Sequence, residues 1–140
     1  MCGISGIISK KNIYFDLYQS LFHLQHRGQD SCGMVLYDNN ELLIIKRDGL
    51  IKNINENIEK DYNIGLGHIR YKTNGNMDKE LIQPFILDNI VLCHNGNIYN
   101  NTDIVNYILN KYNILVDFKN DSDLLLKLFY YEIKNKELNK

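Results

Sequence analysis

The chain has 140 residues, of which 44% are hydrophobic and 24% are charged, and its formal net charge is −1 at pH 7. This composition indicates one soluble globular domain. The small net charge provides no electrostatic attraction to nucleic acid or to an anionic membrane, and no apolar stretch reaches the ~18 residues that cross a bilayer. The amino terminus lacks a secretory signal pattern, and the three Cys have no paired spacing. We therefore expect a cytoplasmic protein with free thiols.

The hydrophobic pattern predicts short strands mixed with helices. In chain order it predicts a strand at 2–9, a helix at 15–25, a hairpin of strands 33–37 and 42–45, a short helix within 48–61, strands at 64–71 and 90–93, a helix at 101–109 and a last helix that follows 121–122. The charged tail, 134–140, is expected to fray. Such a mixture indicates an α+β layered domain.

The first residues of the chain carry a candidate nucleophile. Removal of Met1 would make Cys2 the amino terminus, so that one residue would carry both a thiol and a free α-amine. An amine with a reference pKa of ~7.7–8.0 is partly unprotonated near neutral pH and can accept the thiol proton. A nucleophile with an adjacent base can begin acyl transfer. The alternative is that Cys2 is a small apolar residue that opens a buried strand.

Polar segments interrupt the hydrophobic pattern at 26–31, 67–75, 94–97 and 120–123. Because each segment lies at the end of a predicted strand or helix, the scaffold could direct its side chains into a pocket. The Asn95 side chain and the N–H of Gly96 could form an oxyanion hole. Asn-Gly is also a common turn signal, so a simple turn is the alternative.

Three further side chains are candidates for contacts with a charged ligand. Arg70 could bind a carboxylate through two guanidinium nitrogens, or it could form a surface ion pair. Thr73 could supply a hydroxyl near Arg70, or a hydrogen bond within a turn. Asp121 could receive an ammonium group, or it could cap the helix that follows. The His and Cys residues lack the spacings of a metal site, and we expect none.

Six segments, in the same order along the chain, resemble the glutaminase domain of the class II glutamine amidotransferases, which are N-terminal nucleophile hydrolases: 1–7, 24–31, 67–71, 83–85, 94–97 and 121–122. The segment Leu-Gln-His-Arg-Gly-Gln-Asp-Ser at 24–31 is most similar to the amidophosphoribosyltransferase branch, which acts in purine biosynthesis. The resemblance implies the αββα four-layer sandwich of this family. Because the family's domain is longer, we expect 1–140 to form its N-terminal portion, incomplete at the C-terminus and without a phosphoribosyltransferase domain.

The resemblance also implies roles for the candidate residues in the reaction. Cys2 would attack the side-chain amide of glutamine, with its own amine as base, and would release ammonia and then glutamate through a thioester. Asn95 and the N–H of Gly96 would hold the oxyanion.

The same resemblance implies how glutamine would be bound. Arg70, with help from Thr73, would bind the α-carboxylate, Asp121 would bind the α-ammonium, and Arg27 would support the Cys2 terminus. No cofactor is implied. The implied partners are glutamine and an ammonia-accepting synthase, and the family leaves room for an oligomer. The alternative is an inactive module that binds glutamine or a partner chain.

Overall fold

The computed structural model describes residues 1–39, 41–71 and 79–138. They form two compact units, Met1–Pro84 and Phe85–Lys140. The first unit contains β1 (Gly3–Ile8), α1 (Tyr14–His23), β2 (Ser31–Tyr37), β3 (Leu42–Asp48) and β4 (Ile64–Arg70), with 3-10 turns at Gln25–Arg27, Ile51–Asn53 and Lys79–Leu81. The second contains β5 (Phe85–Leu87), β6 (Ile90–Leu92), α2 (Asn101–Tyr112) and α3 (Asp121–Leu138).

The first unit is an antiparallel sheet in the order β1-β4-β2-β3, with α1 packed on one face. The helix approaches β4 closely because Gly67 has no side chain: a Cβ there would lie 3.0 Å from Cδ2 of Leu21. The core between helix and sheet includes Leu17, Leu21, Met34 and Ile69, all fully buried. In this register Gly3 pairs with Ile69 and Ser31 pairs with Arg70, so the start of β1 and the start of β2 both lie beside the end of β4.

The second unit pairs β5 with β6 and packs α3 against both strands. A separate core between the helices is built around Ile108, Val116 and Leu124. The start of α3 is capped by Asn120, whose Oδ1 accepts the N–H of Asp123 at 2.9 Å. This cap fixes the position of the first turn of α3, where Asp121 lies.

The structure confirms the α+β class and most of the predicted elements, but it corrects two predictions. The prediction of a helix within 48–61 is wrong, because the only helical part of this segment is the 3-10 turn. Burial of the Ile51 and Ile54 side chains keeps the segment in an irregular conformation. The fraying predicted for 134–140 is wrong as far as Leu138, since α3 continues to that residue and Lys134 forms an ion pair with Asp88 at 2.9 Å. The last two residues of that prediction lie outside the described residues. Within the described residues, no helix is long and apolar enough to cross a membrane.

Candidate active site

Cys2 lies immediately before β1, beside the end of β4. Its Sγ accepts a hydrogen bond from the backbone N–H of Tyr71, with 3.4 Å between N and S, and lies 3.8 Å from the carbonyl oxygen of the same residue. Cys2 is half-buried and forms no disulfide. The candidate nucleophile is therefore held next to the strand end that carries Arg70.

Arg27 supports the backbone of Cys2. Its Nε donates a hydrogen bond of 2.9 Å to the carbonyl oxygen of Cys2. The 3-10 turn that carries Arg27 is held by Gln25, whose side-chain amide donates to the carbonyl oxygen of Gly28. The other end of that amide, Oε1, accepts the N–H of Ile51 at 2.7 Å. Gln25 therefore fastens the turn to two chain segments and sets the direction of Arg27.

Arg70 is the last residue of β4 and is half-buried. The segment that follows Arg27 runs very close to it: a Cβ on Gly28 would lie 2.5 Å from the carbonyl oxygen of Arg70 and 2.7 Å from the N of Tyr71. The N–H of Asp30 donates to that same oxygen at 3.1 Å. Thus the backbone of Arg70 is enclosed by 28–30. Thr73, the predicted neighbour of Arg70, lies outside the described residues.

His68 lies two residues before Arg70 and is fully buried. Burial, with a smaller contribution from the positive charge of Arg70, lowers the pKa of His68 from 6.5 to about 4. Neither ring nitrogen has a hydrogen-bond partner among the described residues. His68 is therefore neutral near pH 7, and the positive charge at this strand end belongs to Arg70.

In the second unit, the predicted oxyanion residues form an exposed turn after β6. Asn95, Gly96 and Asn97 are exposed, whereas the flanking His94 and Ile98 are half-buried. A Cβ on Gly96 would lie 2.9 Å from Nε2 of His94, so the ring of His94 lies against the backbone of Gly96. Asn95 and Gly96 are therefore neighbours on an exposed segment that directly follows β6.

Asp121 is the first residue of α3 and does not act as its cap, because Asn120 does so. One carboxylate oxygen of Asp121 accepts the N–H of Ile98 at 3.0 Å, and the other accepts the N–H of Ser122 at 2.8 Å. A carboxylate has about four acceptor positions, so it can still receive an ammonium group. Asp121 is thus hydrogen-bonded to the segment that follows Asn95 and Gly96. In the first unit, Cys2 is hydrogen-bonded to Arg27 and to Tyr71, the residue after Arg70.

Comparisons with known proteins identify the relatives of this chain. It is 35% identical over 139 residues to an amidophosphoribosyltransferase of Pseudomonas aeruginosa, a match that covers 95% of this chain and 28% of the relative. The solved glutamine phosphoribosylpyrophosphate amidotransferase from B. subtilis superposes with a TM-score of 0.67 at 29% identity, over 89% of this chain and 28% of that one. This chain is a homologue of the glutamine amidotransferases.

A second kind of amidotransferase is also similar. The glutamine–fructose-6-phosphate aminotransferase of Buchnera aphidicola is 31% identical over 143 residues, covering 98% of this chain and 23% of the relative. No family model matches the sequence. The chain spans between about a fifth and a third of the length of these relatives. These matches confirm the resemblance read from the six segments, and the amidotransferase structures confirm the mixed fold with antiparallel sheets.

Gln25 and Ser122 have no predicted role, although both lie in segments that resemble the amidotransferases. Gln25 bonds to a backbone group 26 residues away, and the Ser122 hydroxyl lies 2.9 Å from Nδ1 of His94, 28 residues away. Neither distance along the chain corresponds to a helix or strand period, so no local pattern reveals the contacts. A polar residue inside a shared segment is the signal that could have suggested them.

Gly28→Ala is expected to lower the free energy of unfolding by about 1–3 kcal/mol, because a methyl group would press on backbone atoms that cannot move aside easily. Gly28 has extended dihedral angles, φ −171° and ψ 143°, so space rather than conformation requires glycine. Urea unfolding monitored by circular dichroism measures the loss. The matched control is Gly6→Ala, where a Cβ meets its nearest atom at 3.5 Å. Equal stabilities of the two variants would contradict the close approach to Arg70.

Acidification is expected to destabilise the fold through His68. Between pH 6.5 and about 4 the unfolded chain binds a proton at this residue while the folded chain does not, so stability is present above pH 6.5 and is lost as the pH falls. The shift corresponds to roughly 3 kcal/mol. Unfolding free energies at pH 7 and pH 4.5 should show a smaller difference for His68→Leu than for the parent. Met34→Leu, a volume-conserving control at another fully buried position, should keep the parent's pH dependence.

Proposed function

We propose that this chain is the glutamine-hydrolysing part of a glutamine amidotransferase. The observation that carries the proposal is the position of Cys2, whose sulfur lies beside the end of β4 that bears Arg70 and whose carbonyl is held by Arg27. Homology to amidotransferases over nearly the whole chain supports it. Loss of Met1 turns Cys2 into an amino-terminal residue with a base of its own.

The reaction follows from the chemistry of these groups. The α-amine of Cys2 takes the thiol proton, and the sulfur attacks the side-chain amide carbon of glutamine. The oxyanion that forms accepts hydrogen bonds from the side chain of Asn95 and the N–H of Gly96. The amine returns the proton to the nitrogen as the C–N bond breaks, which releases ammonia and leaves a thioester. Water then attacks the thioester, so that glutamine and water become glutamate and ammonia.

Recognition of glutamine in this proposal uses opposite charges for its two backbone ends. Arg70 binds the α-carboxylate through its planar guanidinium, because a bidentate pair fixes orientation as well as charge. Thr73 adds a hydroxyl to that carboxylate. Asp121 receives the α-ammonium. A glutamine held at both ends presents only its amide to the sulfur, which favours an amide-specific reaction over general hydrolysis.

The homologues support a more specific assignment within the proposal. We assign the chain to the amidophosphoribosyltransferase type of purine biosynthesis, because the first matches are amidophosphoribosyltransferases at 34–35% identity and because Gln29 stands in the segment that resembles that branch. The ammonia then passes to an accepting synthase domain or subunit, and the site of action is the cytoplasm, where its thiol stays reduced.

Intact mass spectrometry with a glutamine-analogue electrophile, 6-diazo-5-oxo-norleucine, tests the proposed function. The expected result is a mass that lacks Met1 and gains one adduct, which peptide mapping places on Cys2. The matched control is Cys2→Ala, which should gain none. Retention of Met1 would contradict glutaminase activity. So would a folded protein in which Cys2 is the amino-terminal residue but does not react. Calorimetry with glutamine would then decide whether the chain is a binding module.

A further inference from the structure

A chain of hydrogen bonds joins the first turn of α3 to the turn that carries the oxyanion residues. The Ser122 hydroxyl lies 2.9 Å from Nδ1 of His94 and 3.3 Å from Oδ1 of Asp121. A serine hydroxyl can donate one hydrogen bond and accept others. Ser122 can therefore donate to the carboxylate while it accepts from the imidazole N–H, so one side chain satisfies both neighbours.

Both ends of the turn that carries Asn95 and Gly96 are hydrogen-bonded to the first turn of α3. Ser122 holds His94, which precedes the exposed tip, and Asp121 holds Ile98, which follows it, through its backbone N–H at 3.0 Å. Between these ends only the exposed residues 95–97 span the gap. Ser122 itself is 5% exposed, so its hydrogen bonds are protected from competition by water.

The ring of His94 connects the Ser122 hydroxyl to the backbone of Gly96. With Nδ1 held by Ser122, the opposite nitrogen lies where a Cβ of Gly96 would come within 2.9 Å of it. A fixed ring limits how far the peptide of Gly96 can tilt toward it. If the ring turned freely, the Gly96 N–H would lose one of the surfaces that set its direction.

We propose that Ser122 is a positioning residue, which orients the Asn95–Gly96 turn through His94 and couples it to Asp121. The inference rests on the proposed function and deepens it, because the group that would receive the substrate ammonium and the turn that would hold the oxyanion become parts of one hydrogen-bonded unit. Ser122 touches no reacting atom in this proposal. It acts on the transition state by limiting the positions that the oxyanion donors adopt.

Kinetics of Ser122→Ala test the proposal. Alanine removes the 3.3 Å bond from the hydroxyl to Asp121 but keeps the shorter bonds of 2.8 and 3.0 Å from the N–H groups of Ser122 and Ile98, so the KM for glutamine should change by less than twofold. Loss of the hydroxyl removes the hydrogen bond that fixes Nδ1 of His94, and kcat should fall on the order of tenfold. Ser122→Thr, which retains a hydroxyl, should restore kcat. The matched control is Ser20→Ala, which removes a hydrogen bond of 2.7 Å between Ser20 on α1 and Ser5 on β1 and should leave both constants unchanged.

A double-mutant cycle separates this coupling from a general loss of structure. His94→Phe keeps a ring but removes Nδ1, so it should lower kcat about as much as Ser122→Ala. The double variant should be no slower than either single one, because both break the same contact. Additive losses, a kcat within twofold of the parent, or a rise in KM that matches the fall in kcat would overturn the proposal.

Hydrogen exchange gives a readout that does not depend on activity. In Ser122→Ala the amides of Asn95 and Gly96 should exchange roughly tenfold faster than in the parent, while Ser20→Ala leaves them unchanged. If the parent neither reacts with the electrophile nor hydrolyses glutamine, the proposed function fails. Hydrogen exchange then decides by itself whether Ser122 holds the Asn95–Gly96 turn through His94. Unchanged exchange in Ser122→Ala would overturn the positioning role whatever the activity.

Discussion

Replacing Cys2 with Ala is expected to abolish ammonia release from glutamine while the fold stays intact. The sulfur of Cys2 is the atom that attacks glutamine in the proposed reaction, and loss of a nucleophile lowers kcat by on the order of 10⁶-fold in a well-studied hydrolase. Arg27 bonds to the carbonyl oxygen of Cys2, which alanine retains, so the start of β1 keeps its anchor. A coupled assay for glutamate measures the loss, and circular dichroism verifies the fold.

Cys32→Ala is the matched control for this prediction. Cys32 is fully buried, and burial raises the pKa of its thiol to about 11, which makes it an unreactive sulfur near neutral pH. Its removal should leave ammonia release near the parental rate. If Cys2→Ala hydrolysed glutamine as fast as the parent, or if Cys32→Ala were the variant that lost activity, the assignment of the nucleophile would be wrong.

Asn95→Ala is expected to lower kcat by about 10²–10³-fold with little change in KM. In the proposed reaction the side-chain amide of Asn95 donates to an oxygen that becomes negative only after attack, so the bond is stronger in the transition state than with bound glutamine. Asn95→Asp preserves size but replaces the donor with an anion, and it should be at least as slow. Steady-state kinetics with glutamine measure both variants.

Asn97→Ala provides the comparison for that effect within the same turn. Asn97 is also exposed and lies two residues further along, so its variant changes the turn's composition without touching the proposed donors. It should retain most of the parental kcat. A loss in Asn97→Ala as large as that in Asn95→Ala would show that the turn responds to any substitution and would contradict a donor role for Asn95.

Much of the fold could be predicted from local hydrophobic patterns. The strands β1, β2 and β4 and the helices α2 and α3 have apolar periods that fit one type of element, and the structure contains them within a few residues. For the segment 48–61 the pattern predicted a helix that is absent, because Ile51 and Ile54 have helical spacing. Their burial is decided instead by the core of the first unit, which the local sequence does not reveal.

The candidate residues were accessible from sequence because their chemistry is distinctive. The sequence itself shows a Cys at position 2, one of only three Arg at position 70, and an Asn-Gly pair at 95–96. The residues that position them did not, since Gln25 and Ser122 act through partners 26 and 28 residues away. Contacts of that kind depend on how the chain folds back on itself, and a single sequence holds no direct record of it.

The hydrogen bond from Arg27 to the carbonyl of Cys2 has a consequence for maturation. A polypeptide terminus normally frays, since nothing tethers it on one side. Here the Arg27 guanidinium bonds to the carbonyl oxygen of Cys2, and excision of Met1 leaves that carbonyl and its hydrogen bond in place. Met1 itself is 78% exposed, and an aminopeptidase can reach it after folding. We therefore expect that removal of Met1 adds the α-amine as a base at Cys2, while Arg27 still holds the carbonyl and the sulfur stays beside the N–H of Tyr71.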